Sequence, residues 1–406
     1  MRIVIIGAGE CGVRASLALR EQGFDGTIDL INGEQYEPYE RPPLSKPSDE
    51  GLALKPITGS GDLAAKGIVH HLGLTATSID RSARTVYVSS GSSMSYDRLL
   101  IATGARPRPL VLNGVTVAGL SYLRDFNDAK AIYSNLTTGR HIAIIGGGFI
   151  GLELAVQARL KGVSVTVLEV GPRLLGRAVP AEIASVIEQR HHRAGVDIVV
   201  NAKISGIDAK GVITLEGGRV LSTDFIVAGV GSLPNTELAS SAGLHVENGI
   251  VVDGHLATSD PFIFAAGDCC SFPHPLYGDA HIRIESWRAA LEQGEHAARA
   301  MLGADDVYRS VPWFWSDQYD LGLQIAGLAG AASNIVRRDL SEDAFILFHL
   351  AQDGRLLAAS GIGVGNSIAR DLRLAEMLIA KRAYPDASDL SDSSISLKSI
   401  LSFKPA

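Results

Sequence analysis

Arg2-Ile3-Val4-Ile5-Ile6-Gly7-Ala8-Gly9-Glu10-Cys11-Gly12 opens the chain, and the pattern returns as His141-Ile142-Ala143-Ile144-Ile145-Gly146-Gly147-Gly148-Phe149-Ile150-Gly151. Each is an apolar run followed by G-x-G-x-x-G and then a helical pattern. That order predicts a strand, a tight turn and a helix. The first glycine permits the turn, the second lets a pyrophosphate approach the backbone, and the third lets the helix pack against the strand. Bare N–H groups and the helix dipole then hold phosphates. One such turn is weak evidence. Two in the same strand–turn–helix setting imply two dinucleotides in one chain, and such a protein most simply passes electrons between them.

Working outward, the first unit runs to about Asn32 and the second from His141 to Glu169. Glu34 and Glu169 fall at the ends of the second strands, at the offset of about 20 residues where an acidic side chain accepts bonds from ribose hydroxyls. Such a carboxylate repels a 2′-phosphate, so Glu169 favours NADH over NADPH. The alternative for each is a solvated strand-end glutamate. A proline-rich loop, Tyr36 to Lys46, follows the first unit. Strands are expected around Val69–Ile79, Thr85–Ser89 and Leu99–Gly104, then in a β-rich section from Gly206 to Gly231. Phe262–Asp268 reads as a strand ending at a charge, with a helix after it. Asp268 could therefore bond the ribityl hydroxyls of a flavin or cap that helix. From Pro312 the composition changes: three strand-like segments (Leu321–Ala326, Ser333–Arg338, Ala344–Leu350) and a helix, Ser367–Lys381, suggest a separate α+β region.

The chain has 406 residues, 46% hydrophobic and 20% charged, enough for two or three domains. A formal charge of −7 argues against a general nucleic-acid binder. The three cysteines, Cys11, Cys269 and Cys270, fit free thiols in a reducing cytoplasm rather than a disulfide framework, with a vicinal Cys269–Cys270 bond as the alternative. A strand starting at residue 2 leaves no expectation of a signal peptide, and no long apolar run suggests a membrane span. No His/Cys set has metal-ligand spacing, so no metal is expected. His70-His71 and His191-His192 read as solvated or packed pairs on strands, where neighbours point apart. Trp287, Trp313 and Trp315 could pack in the core, stack near a flavin or carry an electron. Taken alone, Lys46 and Glu153 read as surface charges.

In combination, several motifs resemble a known family. They are the Gly7/Gly9/Gly12 turn, Arg41-Pro42-Pro43-Leu44-Ser45-Lys46, Ala102-Thr103-Gly104, Gly148-Phe149-Ile150-Gly151-Leu152-Glu153, Ala265-Ala266-Gly267-Asp268, Glu285-Ser286-Trp287 and Pro312-Trp313-Phe314-Trp315-Ser316-Asp317-Gln318. Over essentially the whole chain they resemble the FAD-dependent NADH:ferredoxin reductases of bacterial oxygenase and cytochrome P450 systems.

The resemblance implies an α/β, glutathione-reductase-like fold: two Rossmann-type dinucleotide-binding domains plus a C-terminal α+β domain. The implied divisions are 1–108 with 244–310 for FAD, 109–243 for NAD, and 311–406. Implied FAD contacts are Gly7, Gly9, Glu10, Cys11, Gly12, Glu34, Arg41, Lys46, Ala76, Arg124, Asp268 and Trp287. Implied NADH contacts are Gly146, Gly147, Gly148, Phe149, Ile150, Gly151, Glu169, Arg177 and Gly231. Lys46 and Glu153 match a catalytic pair beside the flavin, and Trp315 matches a tryptophan near the flavin and the ferredoxin surface.

The implied partner is an acidic [2Fe–2S] ferredoxin, bound transiently, that feeds a cytochrome P450 or a ring-hydroxylating dioxygenase. Arg309, Arg337, Arg338, Arg370, Arg373, Lys381 and Arg382 are candidates for its docking patch, or else solvated charges. Leu233 stands where relatives often carry Arg, and Cys269-Cys270 replaces less reactive residues. Residues 34–60 contain no cysteine, which excludes disulfide-reductase and peroxidase chemistry there. An NADH-oxidase-like or apoptosis-inducing-factor-like flavoprotein with another acceptor is the alternative.

Overall fold

The computed structural model of the protein describes residues 1–48 and 51–402. The chain forms two compact units: Met1–Glu40, Leu54–Arg106 and Leu233–Pro312 make the first; Arg41–Ala53, Pro107–Ser232 and Trp313–Ala406 make the second.

In the first unit, Ile3, Val4 and Ile5 are fully buried. A β-branched run buried on both faces suits a central parallel strand. Arg2–Ile6 accordingly sits mid-sheet, between Thr27–Asn32 and Arg98–Ile101, with Ile68–Leu72 and Ile263–Ala265 at the edges. All four pairings are parallel. Helices Glu10–Glu21 and Trp287–Met301 pack together where Gly294 removes a clash: a Cβ there would lie 2.4 Å from the Cys11 carbonyl oxygen. The stretch expected as one strand from Val69 to Ile79 is two. Gly73, at φ +67°, turns the chain, and Ala76–Asp80 joins an antiparallel meander with Thr85–Val88 and Ser93–Ser95.

Asp268 corrects the expected helix. A turn and the strand Cys270–His274 follow it, so no helix starts there. An aspartate just before an apolar run is a common helix-start signal. Here Gly267, at φ +81°, reverses the chain instead.

The second unit repeats the plan. His141–Ile145 lies between Ser164–Leu168 and Phe225–Ala228, with Asp197–Val199 outside, all parallel. Its C-terminal sheet has five antiparallel strands, in the order Trp313–Gln318, Leu321–Gly327, Leu356–Val364, Ala344–Leu350, Asn334–Ser341. Two of these escape a sequence reading. Leu356–Val364 is buried along eight of its nine residues, so it shows no alternation. Gly361 lies under the helix Ala369–Ala380, where a Cβ would meet Leu372 at 2.6 Å, and a Cβ at Gly363 would meet Ser367 at 2.4 Å, just before that helix. Leu323, Leu347 and Ile362 share one core with Leu152, Ile183 and Ile187, which welds this sheet to the parallel one. His191-His192 lies on the helix Ala181–Arg193, not on a strand; His191 is buried and His192 exposed.

Candidate dinucleotide and redox site

At the first turn, Gly7 adopts φ +109°, and a Cβ there would lie 2.3 Å from the Ala102 carbonyl oxygen. A Cβ on Gly12 would lie 1.8 Å from the Gly7 carbonyl oxygen. Packing dictates both glycines. Gly9 differs: a Cβ there meets nothing within 4 Å. It stands as the N-cap of Glu10–Glu21 with no capping side chain, so the helix offers bare N–H groups to open space.

The second turn repeats this division. Gly146 (φ +110°) and Gly151 would each bring a Cβ to 2.4 Å from a carbonyl oxygen, whereas Gly148 faces open space at an uncapped helix start. Gly147 adds a constraint without a counterpart, since its Cβ would lie 2.5 Å from Leu174. Both cradles fit a pyrophosphate.

Around the first turn, Glu10 bonds Arg14 (2.8 Å) and accepts from the Trp287 indole N–H (3.0 Å), and burial pushes its carboxyl up. Trp287 is the first residue of its helix. The Cys11 thiol is buried and pushed up by desolvation. Gly267 N–H is held by Gln293 at 2.7 Å, which shapes the turn that carries Asp268. Glu34 accepts from the Tyr39 hydroxyl at 2.5 Å, and Ala76 is buried at its strand's start.

Around the second turn, Glu169 ties the loop together. One carboxylate oxygen accepts Gly147 N–H (2.8 Å), the other Gly171 N–H (2.7 Å). Ile150 and Arg177 are exposed, Phe149 packs on Phe314 at 4.4 Å, and Gly231 takes φ +112°. Arg41, Lys46 and Arg124, implied as FAD contacts, group with the second unit, where Arg41 donates to the Arg124 carbonyl at 2.7 Å. All three cysteines are free and buried, so Cys269 and Cys270 form no vicinal bond.

Within the second unit the structure brings Lys46, Glu153 and Trp315 together. The Lys46 ammonium lies 3.6 Å from Glu153 and 4.7 Å from the Trp315 ring centroid, and Trp315 stacks on Trp313 at 5.4 Å. Glu153 is 5% exposed, which corrects the surface reading of its sequence context. Burial pushes its carboxyl up, against Lys46, Ser316 and Ser45, which pull it down. Sequence reasoning missed three partners: Ser45 and Ser316 donate to Glu153 at 2.5 and 2.6 Å, and Asp317 holds Lys46 at 2.7 Å. All three stood inside quoted motifs, but Ser and Asp carry no signal of such a partnership on their own; Ser45 and Ser316 are buried and Asp317 is exposed.

Two Rossmann-type cradles, each with an uncapped helix N-terminus and an acidic residue ending the next strand, define a two-dinucleotide oxidoreductase. The chain belongs to the pyridine nucleotide-disulphide oxidoreductase family, matched over residues 1–294, and carries a reductase C-terminal region over residues 313–401. It is 40% identical to the ferredoxin–NAD(+) reductase component of the anthranilate 1,2-dioxygenase system of Burkholderia cepacia, covering 98% of each chain. It is 37% identical to putidaredoxin reductase of Pseudomonas putida, covering 98% of this chain and 96% of that one. The solved putidaredoxin reductase in its covalent complex with putidaredoxin superposes with a TM-score of 0.91 at 35% identity, covering 99% and 98%.

Proposed function

We propose that this chain is an FAD-dependent ferredoxin–NAD(+) reductase. The observation that carries the reading is the doubled cradle whose middle glycines, Gly9 and Gly148, face open space that no protein atom needs. The relatives, which are named as ferredoxin reductases, favour this reading over an oxidase-like or apoptosis-inducing-factor-like one. The division of labour is 1–108 with 244–310 for FAD, 109–243 for NADH and 311–406 as the C-terminal domain. FAD, when bound, supplies acceptance of a hydride from NADH and delivery of electrons one at a time, as an iron–sulfur acceptor requires.

The protein's own residues orient and tune. Gly7, Gly9 and Gly12, with Glu34, Ala76, Asp268 and Trp287, bind FAD. Gly146 to Gly151, Glu169, Arg177 and Gly231 bind NADH, with Glu169 selecting it over NADPH. Glu153 holds Lys46 as a fixed cation, and Trp315 lies under that cation. The acceptor is an acidic [2Fe–2S] ferredoxin, bound transiently in the cytoplasm, that serves a cytochrome P450 or a ring-hydroxylating dioxygenase.

The docking set shrinks. Arg338 is 2% exposed and donates to the carbonyls of Leu390, Asp392 and Ile395, so it is a staple of the fold. Arg370, Arg373 and Lys381 are exposed on or just after the helix Ala369–Ala380. A basic face there would steer an acidic partner, with a rate that falls as salt rises.

The test is NADH-driven cytochrome c reduction by the purified yellow protein, with and without a [2Fe–2S] ferredoxin. Strong stimulation by the ferredoxin is expected. Rapid flavin reduction with no stimulation by any such ferredoxin would refute the proposed acceptor.

A further inference from the structure

Behind the Lys46–Glu153 pair runs a chain of buried polar groups that the reductase reading does not use. Ser316 lies 2.6 Å from Glu153, Gln318 Nε2 lies 2.9 Å from Ser316 Oγ, and His191 Nε2 lies 2.9 Å from Gln318 Oε1. Ser316, Gln318 and His191 are each 0% exposed. Three elements contribute: the strand Trp313–Gln318, the helix Ala181–Arg193 and the helix Phe149–Leu160, which carries Glu153.

Chemistry dictates the direction of every bond. A carboxylate only accepts, so Ser316 must donate to Glu153. The single hydroxyl proton is then spent, so Ser316 must accept from the amide N–H of Gln318. The Gln318 carbonyl therefore faces His191, and His191 must donate from Nε2. All donors point toward Glu153, and bonds aligned in this way polarise one another.

The far end locks the chain. His191 Nδ1 is buried without a partner among the described residues. A proton on the Glu153 oxygen that faces Ser316 would force that bond to run the other way, whereas a proton on the oxygen that faces Ser45 would not. The reversal would flip Gln318 and leave His191 bonded through its Nε2 lone pair, with its proton at the unpartnered Nδ1. A buried unpaired N–H is costly, so the chain keeps the oxygen facing Ser316 an acceptor, and donation from Ser316 favours the ionised form as Lys46 does.

We propose that Ser316 and Gln318 are positioning residues: together with Ser45 they hold Glu153 as an acceptor-only carboxylate facing Lys46, and His191 anchors the far end. Gln318 blocks proton hopping, because an amide relays a proton only through an unfavourable tautomer. The chain orients and polarises; it does not conduct.

The titratable groups facing Glu153 are Lys46 from the proline-rich loop, Asp317 from the strand and Tyr133 from the helix Phe126–Asn135. Lys46 pulls the carboxyl down and Asp317 pushes it up, while the Tyr133 phenol, itself pushed up by burial, stays neutral. His191 is held neutral by burial, pushed down to about 4.

The inference rests on the reductase reading only for what Lys46 does. The test is a carbon-13 carboxyl titration of Glu153 in the FAD-loaded protein, with its resonance assigned by loss in Glu153→Gln. Ser316→Ala and Gln318→Met are expected to move the midpoint to higher pH, and Ser316→Thr, which keeps the hydroxyl, to leave it in place. The pH profile of flavin bleaching by NADH should move in step. Gln318→Met keeps the volume of the side chain, so it carries the test if Ser316→Ala misfolds. An unmoved midpoint in a folded Gln318→Met protein overturns the proposal. A moved midpoint in a protein whose flavin NADH never bleaches supports the chain and refutes the reductase function instead.

Discussion

Substituting Gly148 and Gly146 separately distinguishes a ligand's space from the protein's own packing. At Gly148 the backbone is extended (φ −87°, ψ 178°), and a Cβ meets nothing within 4 Å. Alanine loses something at an N-cap but restricts the unfolded chain, so Gly148→Ala should change stability by no more than about 1 kcal/mol. On the proposed reading, the same methyl stands where the pyrophosphate of NADH approaches. Losing two backbone N–H bonds to phosphate, at about 1.5 kcal/mol each, weakens NADH binding by about 100-fold. Gly146→Ala is the opposite case. It forces φ +110° on a side chain and puts a Cβ 2.4 Å from the Gly229 carbonyl oxygen, at a cost of about 3–5 kcal/mol in stability. Urea unfolding and calorimetric titration with NADH read the two effects separately. A folded Gly148→Ala protein that binds NADH as the wild type does would refute the cradle argument.

Glu169→Ala should weaken NADH binding about tenfold and narrow the preference over NADPH, because it removes the bond that pins Gly147 and, on the proposed reading, the ribose acceptor; the ratio of kcat/KM for the two nucleotides checks this. Arg338→Ala should destabilise the protein by about 3 kcal/mol, as carbonyls near residues 390–395 lose their donor, yet leave ferredoxin turnover in the folded fraction unchanged. His191 and His349 are both pushed by burial from 6.5 to about 4. Their unfolded forms take up protons first, so stability is intact above about pH 6.5 and falls as pH drops toward 4, by about 2 kcal/mol per histidine between pH 7 and 5. Urea midpoints at the two pH values measure it, and His349→Leu should flatten part of the slope.

The sequence reading reached the two nucleotide turns because their glycine spacing is a local necessity. Gly7, Gly12, Gly146 and Gly151 answer to backbone atoms within their own turns or on an adjacent strand. Glu34 and Glu169 came with them, since a strand's length places its end. Local signals failed wherever burial replaced alternation, as along Leu356–Val364, or where one φ value redirected the chain, as at Gly267.

The chain by itself therefore determined the two cradles and their nucleotide class, while the pairing of Lys46 with Glu153 came only with the family resemblance its motifs carry. Tertiary structure alone decided how that pair is held. Ser45, Ser316, Gln318 and His191 are ordinary polar residues scattered from position 45 to 318, and nothing in their spacing marks them. They acquire direction only when packing strips water from them and leaves each hydrogen-bonding atom one partner to choose.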